Sequence, residues 1–237
     1  MTRPLASSER FVARLSPEIL NKVTVVHSPL LEIEYLQDDL DLRKVRGLVF
    51  TSANGVAAAS QMTESRDLPC FCVGRATTDA ARREGWKATM AGENAETMIA
   101  FLLAARPATP LLHLRGDHAR GDVAETLSRS GMPTTERVIY TQHLLPLSKT
   151  AKAALAGTSP VVASLFSPRT ARQFADIAAP RAPVWLVALS RAVREPLENV
   201  KNIRLVTAER PDAEAMLNAM ETLIREAMRV EGLSEPH

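Results

Sequence analysis

Short, mostly apolar runs rich in β-branched residues alternate along the chain with stretches whose apolar residues recur every three or four positions. The runs predict strands at 23–26, 47–51, 70–73, 111–114, 138–140, 161–166 and 184–189. Near-continuous apolar strands suit a parallel sheet buried on both faces. The recurring stretches predict helices, one carrying Met98, Phe101 and Leu102 and another carrying Met216, Leu217, Met220, Leu223, Ile224 and Met228. Three methionines on one face of that last helix read as core packing. Strand and helix in alternation predict an open α/β architecture rather than α+β.

The pattern also repeats. Phe50-Thr51-Ser52-Ala53-Asn54-Gly55-Val56 is echoed by Leu165-Phe166-Ser167-Pro168-Arg169-Thr170-Ala171, with Ser52 and Ser167 lying 115 positions apart. Gly74 and Ser190 correspond at 116, the passages from Ala91 to Met98 and from Ala208 to Met216 at 117–118, and Arg3 with Arg115 at 112. So small a drift over four blocks implies a duplication, hence two lobes of similar build with a cleft between them.

Composition narrows the class. With 46% hydrophobic and 24% charged residues over 237 positions the chain is an ordinary globular one, which excludes wholesale disorder. The longest apolar runs are a few residues, far short of the ~20 of a membrane span. Met1-Thr2-Arg3-Pro4 has no apolar signal core, and Cys70 and Cys72 stand too close in sequence for an unstrained bridge on one strand; both predict a reducing cytoplasm. The net charge of +2 conceals 23 Arg against 6 Lys, which base composition or a need to grip carboxylates could each produce. No block of five basic residues occurs and aromatics are 4%, so no nucleic-acid groove is expected.

The candidate chemistry lies in turns that follow strands: Thr51-Ser52-Ala53-Asn54-Gly55, Gly74-Arg75-Ala76-Thr77-Thr78 and Ser167-Pro168-Arg169-Thr170. In a parallel sheet such turns fall where helices begin, and free N–H groups there favour an anion. Ser and Thr are also ordinary N-caps, so each turn taken alone has a purely structural reading. Three turns at duplicated positions point to one anionic ligand held from both lobes. No G-x-G-x-x-G, Walker A loop or G-x-S-x-G elbow occurs, which disfavours nucleotide cofactors and a hydrolase nucleophile. Cys70-x-Cys72 lacks a second ligand pair, and His113 and His118 have no further His or Cys to complete a metal set. The Arg-Gly-Asp tripeptides at Arg115 and Arg120 read as glycine turns, and residues 232–237 as a frayed tail.

Taken in order, Thr2-Arg3-Pro4, Pro29-Leu30-Leu31-Glu32-Ile33, the Phe50–Val56 block, Val73-Gly74-x-x-Thr77, Leu114-Arg115-Gly116, Val138-Ile139-Tyr140 and Phe166-Ser167-Pro168 resemble the uroporphyrinogen-III synthase family over nearly the whole chain. The resemblance implies two flavodoxin-like α/β lobes, each a parallel sheet flanked by helices, joined by a two-stranded connector. One lobe would be discontinuous, 1–33 with 147–237; the other would be 38–139; the connector strands would be 34–37 and 140–146. It implies a cofactor-free, metal-free, monomeric cytoplasmic lyase of haem, chlorophyll and cobalamin biosynthesis, with no nucleic-acid or membrane partner. Its substrate would be hydroxymethylbilane, a linear tetrapyrrole with eight carboxylates, received in transient contact with hydroxymethylbilane synthase. The product would be uroporphyrinogen III, with ring D inverted through a spiro intermediate.

By the same resemblance Tyr140 is the catalytic acid; Thr51, Ser52, Ala53, Asn54, Thr77, Arg115, Ser167, Pro168 and Arg3 bind substrate, with Arg169 a further carboxylate partner. Two departures stand out. Val193 occupies a position where the family has threonine, and the apolar strand that usually precedes Thr-Arg-Pro is not in this chain, so one lobe is expected to lack a strand. The rival reading is a catalytically silent two-lobed binding or sensor module for an anionic small molecule. A flavodoxin-like electron carrier is disfavoured by having two Trp and two Tyr, none of them in the candidate turns.

Overall fold

The computed structural model describes residues 1–118, 122–201, 203–230 and 232. The Arg-Gly-Asp turn at Arg120 and most of the 232–237 tail lie outside the described residues. The elements, in chain order, are helices α1 (Leu5–Val12) and α2 (Pro17–Leu20), strands β1 (Leu31–Tyr35) and β2 (Gly47–Phe50), α3 (Ala53–Met62), β3 (Pro69–Val73), α4 (Gly74–Arg83), β4 (Lys87–Gly92), α5 (Ala95–Ala105), β5 (Leu111–Gly116), α6 (Val123–Arg129) and β6 (Thr134–Leu144). They continue with α7 (Lys149–Ala156), β7 (Val161–Leu165), α8 (Pro168–Ile177), β8 (Val184–Ala188), α9 (Arg191–Arg194), β9 (Ile203–Thr207) and α10 (Ala213–Val230). None of the helices among the described residues is long and apolar enough to cross a membrane.

The chain divides into two compact units, Met1–Glu32 with His143–His237, and Ile33–Gln142; β1 and β6 carry it across the two boundaries. In the second unit the sheet order is β1-β6-β5-β2-β3-β4, with β2, β3, β4, β5 and β6 joined by parallel pairings. In the first it is β7-β8-β9, again parallel. The α/β class read from the sequence is the class observed. The run β2-α3-β3-α4-β4-α5 matches β7-α8-β8-α9-β9-α10 element for element, as the duplicated blocks require.

Each parallel sheet is covered on both faces, which is why its strands read as uninterrupted apolar runs. In the second unit Leu48, Phe50, Leu112 and Leu114 pack with Val56 and Trp86 on one side, and Val49, Phe71 and Leu111 pack with Met98, Leu102 and Leu127 on the other. In the first, Leu165 and Leu186 pack with Phe174 and Leu197 on one face, and Val187 packs with Phe11, Met216 and Met220 on the other. Met216 and Met220 are thus core residues, as the helical spacing implies, whereas Phe101 is 38% exposed and lies outside the core.

One predicted strand does not form. Residues 23–26 are irregular, and the backbone bonds that tie this stretch down run to Met1 and Thr2. The Met1 ammonium donates to the Val26 carbonyl, and the Ser28 and Leu30 amides donate to the Met1 and Thr2 carbonyls. Thr2 Oγ1 donates to the Ser164 carbonyl of β7. Near β7 and α10 lies a cavity of about 790 Å³ lined by Val23, Val25, Val162, Phe174, Met220 and Ile224 among others.

Candidate active site

The candidate site of the second unit forms at the carboxyl ends of β2 and β5, where Tyr140 of β6 pairs with Gly116, and the local sequence explains each part. Ser52, in extended conformation, ends β2 and caps α3 by accepting the Asn54 amide at 3.1 Å; such a cap is worth about 1 kcal/mol. The amides of Gly55 and Val56 donate back to the Ser52 carbonyl, and the Ala53 N–H belongs to the first turn that no helical carbonyl reaches. Thr51, Ser52, Ala53 and Asn54 therefore form one continuous half-buried turn with the positive end of the α3 dipole behind it.

Tyr140 on β6 reaches this turn from below. Its ring lies against Gly116 so closely that a Cβ there would stand 2.5 Å from Cε2 and 2.6 Å from Cζ. Its other edge faces Gly55, where a Cβ would come within 3.8 Å of Cε1. Gly116 thus makes room for the phenol, while a Cβ at Gly55 would crowd the Leu114 carbonyl at 3.0 Å and touch the ring only in ordinary contact. Tyr140 is 4% exposed, and burial raises its hydroxyl above the usual tyrosine range; Ser52, the Gly116 amide and Gln142, all within reach of the phenol oxygen, pull the other way, while Asp117 adds to the rise. The phenol is a neutral donor at any physiological pH.

Arg115, beside Thr51 across the β5–β2 pairing, donates at 2.6 Å to Glu136 and at 2.9 Å to the Gly116 carbonyl. The hydrogen bond from Arg115 holds the Glu136 carboxyl below the usual range. Thr77, in the first turn of α4 after Gly74 (φ +72°), is 6% exposed. Val193, its counterpart by the repeat, is 2% exposed within the apolar core of the first unit.

Under Thr51 lies His113, fully buried on β5 with Nε2 3.2 Å from Thr51 Oγ1. Burial pushes its imidazole down to about 4. The unfolded chain titrates near 6.5, so between about 6.5 and 4 it takes up a proton the folded chain refuses. The stability is complete above that window and falls through it by on the order of 3 kcal/mol. Urea midpoints at pH 7 and pH 4.5 measure the fall, and His113→Leu flattens that part of the profile.

The first unit carries its own pair. Ser167 caps α8 by accepting the Thr170 amide at 3.1 Å, and Pro168 takes the first helical position, where no N–H is needed. The Arg3 guanidinium lies 4.5 Å from the Phe166 ring centroid, one residue from Ser167. Each unit thus brings an arginine beside its serine turn, as the repeat of Arg3 in Arg115 requires. Many other arginines are spent on surface ion pairs, such as Arg43–Asp41, Arg210–Asp212 and Arg225–Glu18.

Sequence reasoning names the turn residues and Tyr140 but misses what fixes them. It offers His113 as an incomplete metal ligand, and Gly116 and Asp117 as part of a glycine turn. The signal for His113 is a polar residue in an apolar strand position of the Leu-Leu-His-Leu run, which demands a buried partner.

A family model described as uroporphyrinogen-III synthase HemD matches residues 20–218. Among solved structures the chain is similar to the uroporphyrinogen-III synthetase of Helicobacter pylori 26695, with 18% identity over 82% of this chain and 91% of that one at a TM-score of 0.65. It is also similar to a mutant uroporphyrinogen III synthase of the extremely thermophilic bacterium Thermus thermophilus, with 14% identity over 97% and 99% at a TM-score of 0.49. Among curated protein sequences nothing matches.

Proposed function

The chain belongs to the uroporphyrinogen-III synthase family, the cyclising lyases of tetrapyrrole synthesis, and we propose that the Ser52 turn and Tyr140 are where its chemistry is done. The observation that carries this is the meeting of a buried neutral phenol with a run of hydroxyl and amide donors at one set of strand ends.

The substrate is hydroxymethylbilane. Its carboxylates accept from the Thr51 and Ser52 hydroxyls and the first-turn amide of Ala53, in the turn that Asn54 closes, with Thr77 and Arg115 beside them. In the first unit Arg3, Ser167 and Pro168 form a second anion-favouring turn for the same class of group. The pyrrole lone pairs expel the terminal hydroxyl, and Tyr140 protonates it so that water leaves and an azafulvene cation remains. Ring D attacks through its substituted carbon, giving a spiro intermediate that fragments and recloses with ring D inverted. The proton that ring D loses at final closure restores the phenol. Free closure takes the unsubstituted carbon and gives the symmetric isomer, so the protein's main task is to hold a flexible chain bent toward the less accessible carbon.

The enzyme acts as a monomer in the cytoplasm, in transient contact with hydroxymethylbilane synthase. The test is the ratio of type III to type I product when hydroxymethylbilane is supplied. A ratio far above the buffer control is expected; a ratio equal to it would leave a silent anion-binding module.

A further inference from the structure

We propose that His113 is a positioning residue for the carboxylate subsite at the Ser52 turn: its Nε2–H donates to Thr51 Oγ1 and so leaves the Thr51 hydroxyl proton for a substrate oxygen. The proposal rests on the reading that this turn receives a carboxylate.

The geometry limits how the two side chains share their protons. His113 pairs in register with Val49, so its ring lies on the same sheet face as Thr51, two residues further along β2's path. The side chain is 0% exposed, Nε2 has Thr51 Oγ1 at 3.2 Å, and Nδ1 is buried with no hydrogen-bond partner among the described residues. A neutral imidazole has one N–H and one lone pair. A proton on Nδ1 would orphan a buried donor, which folded proteins avoid more strictly than an unused acceptor. A proton on Nε2 orphans only a lone pair and gives the N–H its acceptor. With one lone pair of Oγ1 engaged by the imidazole, the hydrogen of the half-buried Thr51 hydroxyl stays free for whatever enters the turn. A free hydroxyl hydrogen suits an anionic acceptor.

Thr51→Val and His113→Leu are each expected to raise KM for hydroxymethylbilane roughly fivefold, the usual effect of one lost hydrogen bond, with kcat little changed. The double variant should be no worse than Thr51→Val alone. His113→Gln, whose amide N–H reaches the same oxygen, should restore most of the affinity. Nitrogen NMR of the imidazole in the unmutated protein should find the proton on Nε2, a readout independent of turnover and of how well the variants fold. A proton on Nδ1 overturns the proposal, as does His113→Leu raising KM by its full factor in the Thr51→Val background. Thr51→Val raising KM while His113→Leu leaves it alone overturns this proposal only. An unchanged KM in Thr51→Val removes the carboxylate reading of the turn itself, and the positioning role with it.

Discussion

Tyr140→Phe turns over hydroxymethylbilane about a hundredfold more slowly than the unmutated chain while keeping the type III product in excess. A positioned general acid contributes on the order of 10²–10⁴ in rate, and this departing group is already pushed by the pyrrole nitrogens, so the lower end applies. The product ratio survives because folding the substrate is the work of the carboxylate contacts, none of which the phenol supplies. The phenylalanine ring keeps its seat between Gly116 and Gly55, so the variant loses an oxygen and little else. Stopped-flow turnover with chromatographic separation of the isomers measures both quantities. Wild-type turnover in this variant would dismiss Tyr140 as the acid, and a collapsed ratio would make it a positioning group instead.

Gly116→Ala reaches the same site by a different route. The added methyl would meet ring carbons of Tyr140 at 2.5 and 2.6 Å and the hydroxyl at 2.9 Å, so the ring has to leave its present seat. Overpacking of this kind costs about 1–3 kcal/mol. Activity should fall at least as far as in Tyr140→Phe, because the phenol is displaced rather than trimmed. Gly92→Ala is the companion: there the methyl would meet the Met98 backbone nitrogen at 2.5 Å, at the start of α5 and away from the phenol. It should lower the urea midpoint without a matching loss of turnover. Equal losses of activity per unit of lost stability in both variants would mean that Gly116 matters for folding alone.

Strands buried on both faces announce themselves in the sequence, and so does the repeat, because burial fixes composition locally. β4 carries no strand signal of its own, since Lys87, Ala88, Thr89 and Met90 form no apolar run and an edge strand needs none, whereas β9 (Ile203–Thr207) is β-rich in composition. Residues 23–26 fail in the opposite way, having strand composition and an irregular backbone. The turn residues are legible because capping chemistry is written in consecutive positions. The bond between Thr51 and His113 is not, since it joins positions 62 apart that only the β2–β5 register makes neighbours. The seat of Tyr140 is hidden likewise: Gly116 lies 24 positions before it in sequence and in the next strand of the sheet.

Cys70 and Cys72 are the two cysteines of the chain, and both are buried in β3. Desolvation pushes their thiols up to about 12 and about 11, so the nucleophilic thiolate is scarcely populated at neutral pH while the sheet is closed. An alkylating dye therefore reports when residues 33–142 come apart and ignores everything that happens in 1–32 and 143–237. The chain carries its own clock for the unfolding of one half, with the other half left silent as the reference.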